Sequence, residues 1–303
     1  MGHRLGIVEE HERQVGRHDQ VEIFGGPAGD PGLVGGPGSV SWRVHADVAA
    51  LAFGGIGAII TEVLHPSVMA GVEAFSSYRT DPFRRARATY GYVVTTTFGS
   101  TTAATGLIER VRRMHGRVEG VRPDGVPYRA LDPELIAWVH TAIPWAVMRA
   151  YERLNEPLSV EDQNRYLAEQ SVVGLMGGAD EVPTSVDELN AFVEAMRPRL
   201  ALTEQTRSFF DFLLGSPFGV RAPRPLAEIG NRYQLEAGLS VMPRWLRHLA
   251  GFEHSRLAQR LLYDGPMQSY AARLRHGFGS PPFVTLAQAR ATAQAASLRA
   301  VSA

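Results

Sequence analysis

Cysteine is absent from the 303 residues. That excludes disulfides, a thiol nucleophile, an iron–sulfur cluster, a thiolate-ligated haem, c-type haem attachment and any Cys-based zinc site. A bound metal or haem must therefore be held by His, carboxylate, Tyr or Met. The absence also fits a reducing compartment, and the expectation is a cytoplasmic protein. Net charge is lacking as well: 31 Lys and Arg stand against 31 Asp and Glu. There is no global electrostatic case for nucleic acid or an anionic membrane. Long apolar runs are missing too. The longest, Val48 to Thr61, is bounded by Asp47 and Glu62. A membrane span needs roughly 20 apolar residues, so this run reads as a buried core helix and no transmembrane segment is expected. The opening MGHRLGIVEEHERQVGRHDQ has no apolar stretch of the kind a secretory signal carries. Hydrolase and zincin signatures are absent: no Gly-x-Ser-x-Gly elbow occurs, and no His-Glu-x-x-His.

What is present is helix. Residues 1–38 contain Gly25-Gly26-Pro27, Pro31-Gly32 and Gly35-Gly36-Pro37-Gly38, which read as a flexible leader. They follow no apolar strand and match no phosphate-binding loop. From residue 39 to 303 we expect one helical domain. Ser39 or Ser41 starts a long helix reaching Leu64, interrupted by Gly54-Gly55 and Gly57, small residues that admit a second backbone or a flat ligand. Helices follow at 66–76, from Asp81-Pro82 to Phe98, and from Ser100 to His115. Val118 to Tyr128, around Pro123-Asp124-Gly125, is the one β signal, a small hairpin. Ser159 and Ser185 then cap helices ending near Met176 and Met196. Thr203 starts another, residues 216–226 are irregular, and further helices cover 226–235, 243–249, 254–262, 266–274 and 286–301.

The stretch Leu131 to Tyr151, LDPELIAWVHTAIPWAVMRAY, organises the rest. Asp132 is a good N-cap, Pro133 suits the first helical position, and Glu134 suits the positive end of the dipole. Ile136, Ala137, His140, Ile143, Pro144, Val147 and Tyr151 share one face. That face is apolar except for His140. Pro144 has no N–H and frees the carbonyl of His140, so a kink is expected there. An imidazole in such a place is either a satisfied core residue or a ligand to something buried.

Other chemistry-bearing residues are fewer. Glu62 and His65 form one Glu-x-x-His unit, half of a di-iron motif. His115 ends a helix after Arg112-Arg113, where a protonated imidazole would suit the dipole. His45 is open to either reading, and His248, His254 and His276 lie among arginines, where exposure is expected. Arg84, Arg85 and Arg87 form a cationic run, either a solvated face or a clamp for carboxylates such as haem propionates.

An ordered series of motifs then stands out: Pro37-Gly38-Ser39-Val40-Ser41-Trp42-Arg43, Leu64-His65-Pro66, Asp81-Pro82 with Arg85 and Thr89, Phe98-Gly99, His115 with Val118 and Gly120, Tyr128-Arg129-Ala130-Leu131-Asp132-Pro133, Trp138-Val139-His140, and Pro183 before Ser185. In this series, from about Gly38 to Leu249, the chain resembles the MpaB-type oxygenase family, which includes the latex-clearing rubber oxygenases. The resemblance implies an all-α fold with a globin-like core, one haem b, and His140 as the axial iron ligand. Arg84 and Arg87 become candidates for the propionates. Arg85 and Thr89 match the Arg and Thr of a distal Arg-x-x-Lys-Thr pattern, but Ala88 stands where the rubber oxygenases carry lysine. That departure puts rubber cleavage in doubt, because a fold does not carry its substrate with it. Glu62 and Glu73 are the candidates for those enzymes' catalytic glutamate.

The function implied is a haem-b oxygenase taking O2, an electron donor and an apolar, unsaturated small molecule or lipid. Three rival readings stand beside it. One is a haem protein without catalysis, sharing the His140 ligand. The second is a di-iron or single-metal oxidoreductase using Glu62, His65 and His115. The third is a purely structural helical protein with His140 buried and unliganded.

Overall fold

The computed structural model describes residues 20–215, 224–252, 257, 259–279 and 281–301. Of the expected irregular stretch 216–226, residues 216–223 lie outside them, as does the expected helix start at His254, whereas 224–226 are helical. Within them the chain is all-α apart from one two-stranded hairpin. The helices are α1 (Val40–His45), α2 (Val48–Val63), α3 (Pro66–Phe75), α4 (Pro82–Phe98) and α5 (Thr101–His115). After the hairpin come α6 (Pro133–Leu154), α7 (Val160–Gly177), α8 (Val186–Met196), α9 (Glu204–Gly215), α10 (Arg224–Ser240), α11 (Arg244–Leu249), α12 (Gly265–Phe278) and α13 (Pro282–Val301).

Local sequence explains most helix starts. Asp132 accepts the backbone N–H of Glu134, and Asp81, Ser100, Ser159 and Ser185 cap α4, α5, α7 and α8 in the same manner. The long helix expected from residue 39 to 64 is two. Asp47 leaves the helical conformation, and its Oδ1 accepts from Ala49 and Ala50. A carboxylate placed to cap a new helix breaks the old one. Asp47 Oδ2 is also held by Asn155 Nδ2 at 2.7 Å and Arg275 Nη2 at 2.6 Å.

The core is built around α2 and α6. A Cβ added to Gly54 would lie 2.6 Å from Val147 Cα, and one on Gly57 would lie 2.9 Å from the carbonyl of Gly238. The glycines of α2 are thus the places where α6 and α10 press their backbones against it, the close approach that only glycine allows. Helix α6 continues through Pro144 to Leu154 without a break. Trp138, Ala142, Ala146, Val147 and Ala150 are buried along it.

Part of the expected leader is built into this core. Val21–Gly25 form a π-helical turn and Gly36–Gly38 a 3-10 turn, with Phe24 and Val34 buried. Arg290 of α13 donates to the carbonyls of Phe24, Asp30 and Phe98 at 2.8 to 3.0 Å. One buried guanidinium therefore supplies the partners that a glycine-rich segment cannot find by regular structure.

The hairpin pairs β1 (Glu119–Val121) with β2 (Pro127–Arg129), Gly120 opposite Tyr128. Gly125 supplies the turn's positive φ of 85°. Tyr128 is buried against α3, its hydroxyl donating to the carbonyl of Ala70. Among the described residues no single helix is long and apolar enough to cross a membrane; α2 and α3 pass only as a pair bent by 102°.

Candidate functional site

His140 sits mid-way along α6, facing the C-terminal half of α7. A Cβ added at Gly174 would lie 3.0 Å from His140 Cβ, and one at Gly177 would lie 3.0 Å from His140 Nε2. Gly174 and Gly177 are one turn apart on one helix face, so α7 presents the imidazole with a wall without side chains. The ring of Tyr92 on α4 lies beside it, centroids 6.0 Å apart. Neither ring nitrogen makes a hydrogen bond among the described residues. Burial, then the neighbouring His115, pushes the imidazole down from 6.5 to about 4. It is neutral at pH 7, the form that ligates metals.

Three further side chains converge from other helices. Glu62, in the last turn of α2, is pushed up from 4.5 to about 8 by burial, opposed by the charge of Arg85. Its carboxyl is protonated at neutral pH, and it makes no hydrogen bond or ion pair among the described residues. His115 ends α5 and is lowered by burial and then by Arg85. The sequence suggested a protonated histidine soothing a helix dipole. Desolvation and the nearby guanidinium of Arg85 favour its neutral form instead. Arg85 completes the set: its Nη1 donates to Thr89 Oγ1, which donates to the carbonyl of Arg85 at 3.1 Å.

Glu62, Tyr92, His115 and His140 are strongly desolvated, yet each keeps some accessible surface. Side chains crowded by protein atoms and still reachable line an interior recess. The unpartnered neutral imidazole of His140, packed against bare helix backbone, is the kind of donor that a haem iron takes.

The remaining sequence-predicted residues are sorted by the structure. On α4, Arg85, Thr89 and Tyr92 share one face and Arg84 with Arg87 another. Arg84 pairs with Asp81 at 3.5 Å on the surface and donates to Ser77. Arg87 is half-buried and makes no ion pair among the described residues. Glu73 is bound by Tyr78 and, at 3.1 Å, by Arg79, which leaves Glu62 as the carboxylate at the recess. His65 is spent as the N-cap of α3, its Nδ1 accepting from Ser67 at 3.2 Å. Among the described residues no three His, Asp or Glu side chains are grouped as a metal ion would need. The site that Glu62, His65 and His115 would form for a bare metal is not assembled. His45 is a satisfied core histidine, with Nδ1 at 2.8 Å from Thr97 Oγ1 and Nε2 at 2.8 Å from Tyr166 OH. His248 and His276 are exposed.

Sequence reasoning missed Tyr92, Gly174 and Gly177. A usable signal was present: Tyr92 is seven residues after Arg85, and the two glycines stand at i and i+3 in the helix that follows α6. A separate open cleft of about 420 Å³ lies between the start of α3, the hairpin turn and α9, where Arg79 and Arg122 are already paired with Glu73 and Asp124.

Compared with known families, residues 42–276 match the catalytic domain described as ER-bound oxygenase mpaB/B'/Rubber oxygenase, and the chain belongs to that family. No curated protein and no solved structure matches it significantly. It is an oxygenase catalytic domain, and so an enzyme that takes O2 and a substrate. The rival reading as a haem protein without catalysis gives way to this. The missing lysine gains weight here, because the chain contains no lysine at any position that could stand in for the one Ala88 replaces.

Proposed function

We propose that this oxygenase uses haem b, held through His140, to oxidise an apolar and unsaturated small molecule or lipid. The observation that carries the reading is His140 itself. It is a neutral interior imidazole with no hydrogen-bond partner among the described residues, and the glycine backbone of α7 packs against it. Bound there, the haem would supply the iron at which O2 is activated.

The chain's own residues set the surroundings. Gly174 and Gly177 let the α7 backbone pack directly against the imidazole and fix its ring plane by contact. Arg87, half-buried and unpaired, is the arginine suited to a haem propionate, whereas Arg84 is already engaged with Asp81. Arg85, braced by Thr89, holds a positive charge near Glu62 and His115. Glu62 carries a proton at neutral pH that it can lend and recover, the property of a general acid. The rest of the recess gives a substrate little to pair with, which favours an apolar one. Ala88 puts no side-chain amine beside Arg85 and Thr89. The absence of cysteine supports a cytoplasmic setting.

The test is an absorption spectrum of protein produced with added haem precursor, beside His140→Ala. A Soret band in the wild type that is lost or shifted in the variant supports the reading. A wild type without Soret band or iron overturns it.

A further inference from the structure

The second half of α6 carries a different feature. Arg149 is nine residues beyond His140, roughly 13 Å along the helix and half a turn around it. It therefore faces away from the recess. There its Nε donates to the carbonyl of Val241, three residues before Arg244 at the start of α11. Arg153 stands one turn on along α6, and Arg244 and Arg247 stand one turn apart on α11, so four guanidiniums share one region. Two carboxylates, Glu152 and Asp264, stand against them. Asp264 pairs with Arg153 and accepts Gln259 Nε2 at 3.3 Å. Glu152 forms no ion pair here and accepts Gln163 Nε2 at 2.7 Å.

The other arginines are under-partnered. Arg149 donates from Nε to the carbonyl of Val241 at 2.7 Å, and its two terminal nitrogens make no hydrogen bond among the described residues. Arg247 donates from Nη1 to Gln259 at 2.6 Å, while its Nε is buried without a partner. Arg244 is exposed and unpaired among the described residues. Burial lowers both Arg149 and Arg247, and the surrounding arginines lower them further against Glu152 and Asp264. Half-buried cations crowded by like charges are costly unless an anion joins them. The wider sequence agrees. From residue 224 onward there are ten arginines against four Asp and Glu, although the whole chain is neutral. The turn that brings Gln259 and Asp264 to the cluster also exposes Leu261 and Leu262, at 65% and 52%.

We infer that Arg149, Arg244 and Arg247, with Arg153 beside them, form a second site that binds a phosphate group, on the face of α6 opposite His140. Terminal N–H groups of Arg149 and Arg244 supply the forked donors that phosphate oxygens accept. The group can come from a free phosphate compound or from a lipid headgroup, for which Leu261 and Leu262 would supply apolar contact.

The test is calorimetric titration of the purified full-length protein with inorganic phosphate. Flotation with vesicles of phosphatidylcholine alone, or mixed with phosphatidic acid, runs beside it. Saturable phosphate binding that weakens about tenfold in Arg149→Gln and in Arg244→Gln supports a site for the free anion. Binding confined to phosphatidic acid vesicles, with the same loss, supports the headgroup. Arg244→Gln changes an exposed side chain and guards against misfolding of the first variant. No binding to either probe, or binding unchanged in both variants, overturns the site. His140→Ala is expected to bind as wild type does, so this result stands apart from that of the haem test.

Discussion

Gly177 of α7 lies so close to His140 of α6 that a single added carbon would stand 3.0 Å from His140 Nε2. A contact that tight forces either the imidazole or the backbone to move. Gly177→Val is therefore expected to turn the ring and weaken haem retention on the order of tenfold, as loss of groups that orient a ligand does. Helix content should stay near wild type. Haem titration followed at the Soret band, with circular dichroism alongside, checks this. A variant that takes up haem as wild type does would show that the ring has room to spare.

Glu62 should leave a signature in stability against pH. Its folded value of about 8 lies above its ordinary 4.5. The folded state binds the proton more tightly, so the contribution is complete below pH 4.5 and is lost as pH rises to 8. The histidines impose the opposite slope. His140 and His65 at about 4, and His45 at about 3, stabilise above 6.5 and lose that as pH falls. The readout is therefore the difference between wild type and Glu62→Gln in urea unfolding. Relative to the variant, wild type should lose stability steadily from pH 4.5 to pH 8. Parallel curves would mean that Glu62 titrates normally.

His45 and His140 were indistinguishable as letters, each an imidazole on an apolar helix. Their neighbours separate them: Thr97 and Tyr166 satisfy both nitrogens of His45. Those partners lie 52 and 121 residues away, beyond the reach of any local pattern. Caps, by contrast, were legible because each cap bonds within three residues, and most helix starts followed from them. The break at Asp47 was not, since it depends on Arg275 and Asn155 as well as on local turns. His115 was misjudged for the same reason. Its charge state is set by burial and by Arg85 on another helix, whereas the dipole of its own helix is all that the sequence displays.

The distinction is testable. His45→Ala removes a filled position and leaves Tyr166 OH and Thr97 Oγ1 buried without that partner. A loss of about 2 kcal/mol or more is expected, with the Soret position unchanged once haem is bound. His140→Ala should do the reverse, altering the spectrum while costing less in unfolding of the haem-free protein, because no hydrogen bond among the described residues is broken. Urea unfolding and absorption spectra of the two variants side by side decide the matter. A spectral change in His45→Ala would move the ligand.

The packing of α2 gives a purely structural prediction. Gly54 faces Val147 Cα at 2.6 Å from any added carbon, so relief requires moving the α6 backbone. Gly54→Val is expected to destabilise by about 1–3 kcal/mol, the usual cost of overpacking a core, or by more if α6 cannot shift. Gly55, one residue on, meets nothing within 4 Å of such a carbon. Gly55→Ala should instead be neutral or gain a few tenths of a kcal/mol, because alanine favours helix over glycine. The pair is measured by thermal melts under one condition. Equal effects at 54 and 55 would show that backbone contact between α2 and α6 is not what holds the core together. Since α6 carries His140 on the same helix, a shift forced by Gly54→Val should also disturb the haem spectrum, and Gly55→Ala should leave it alone.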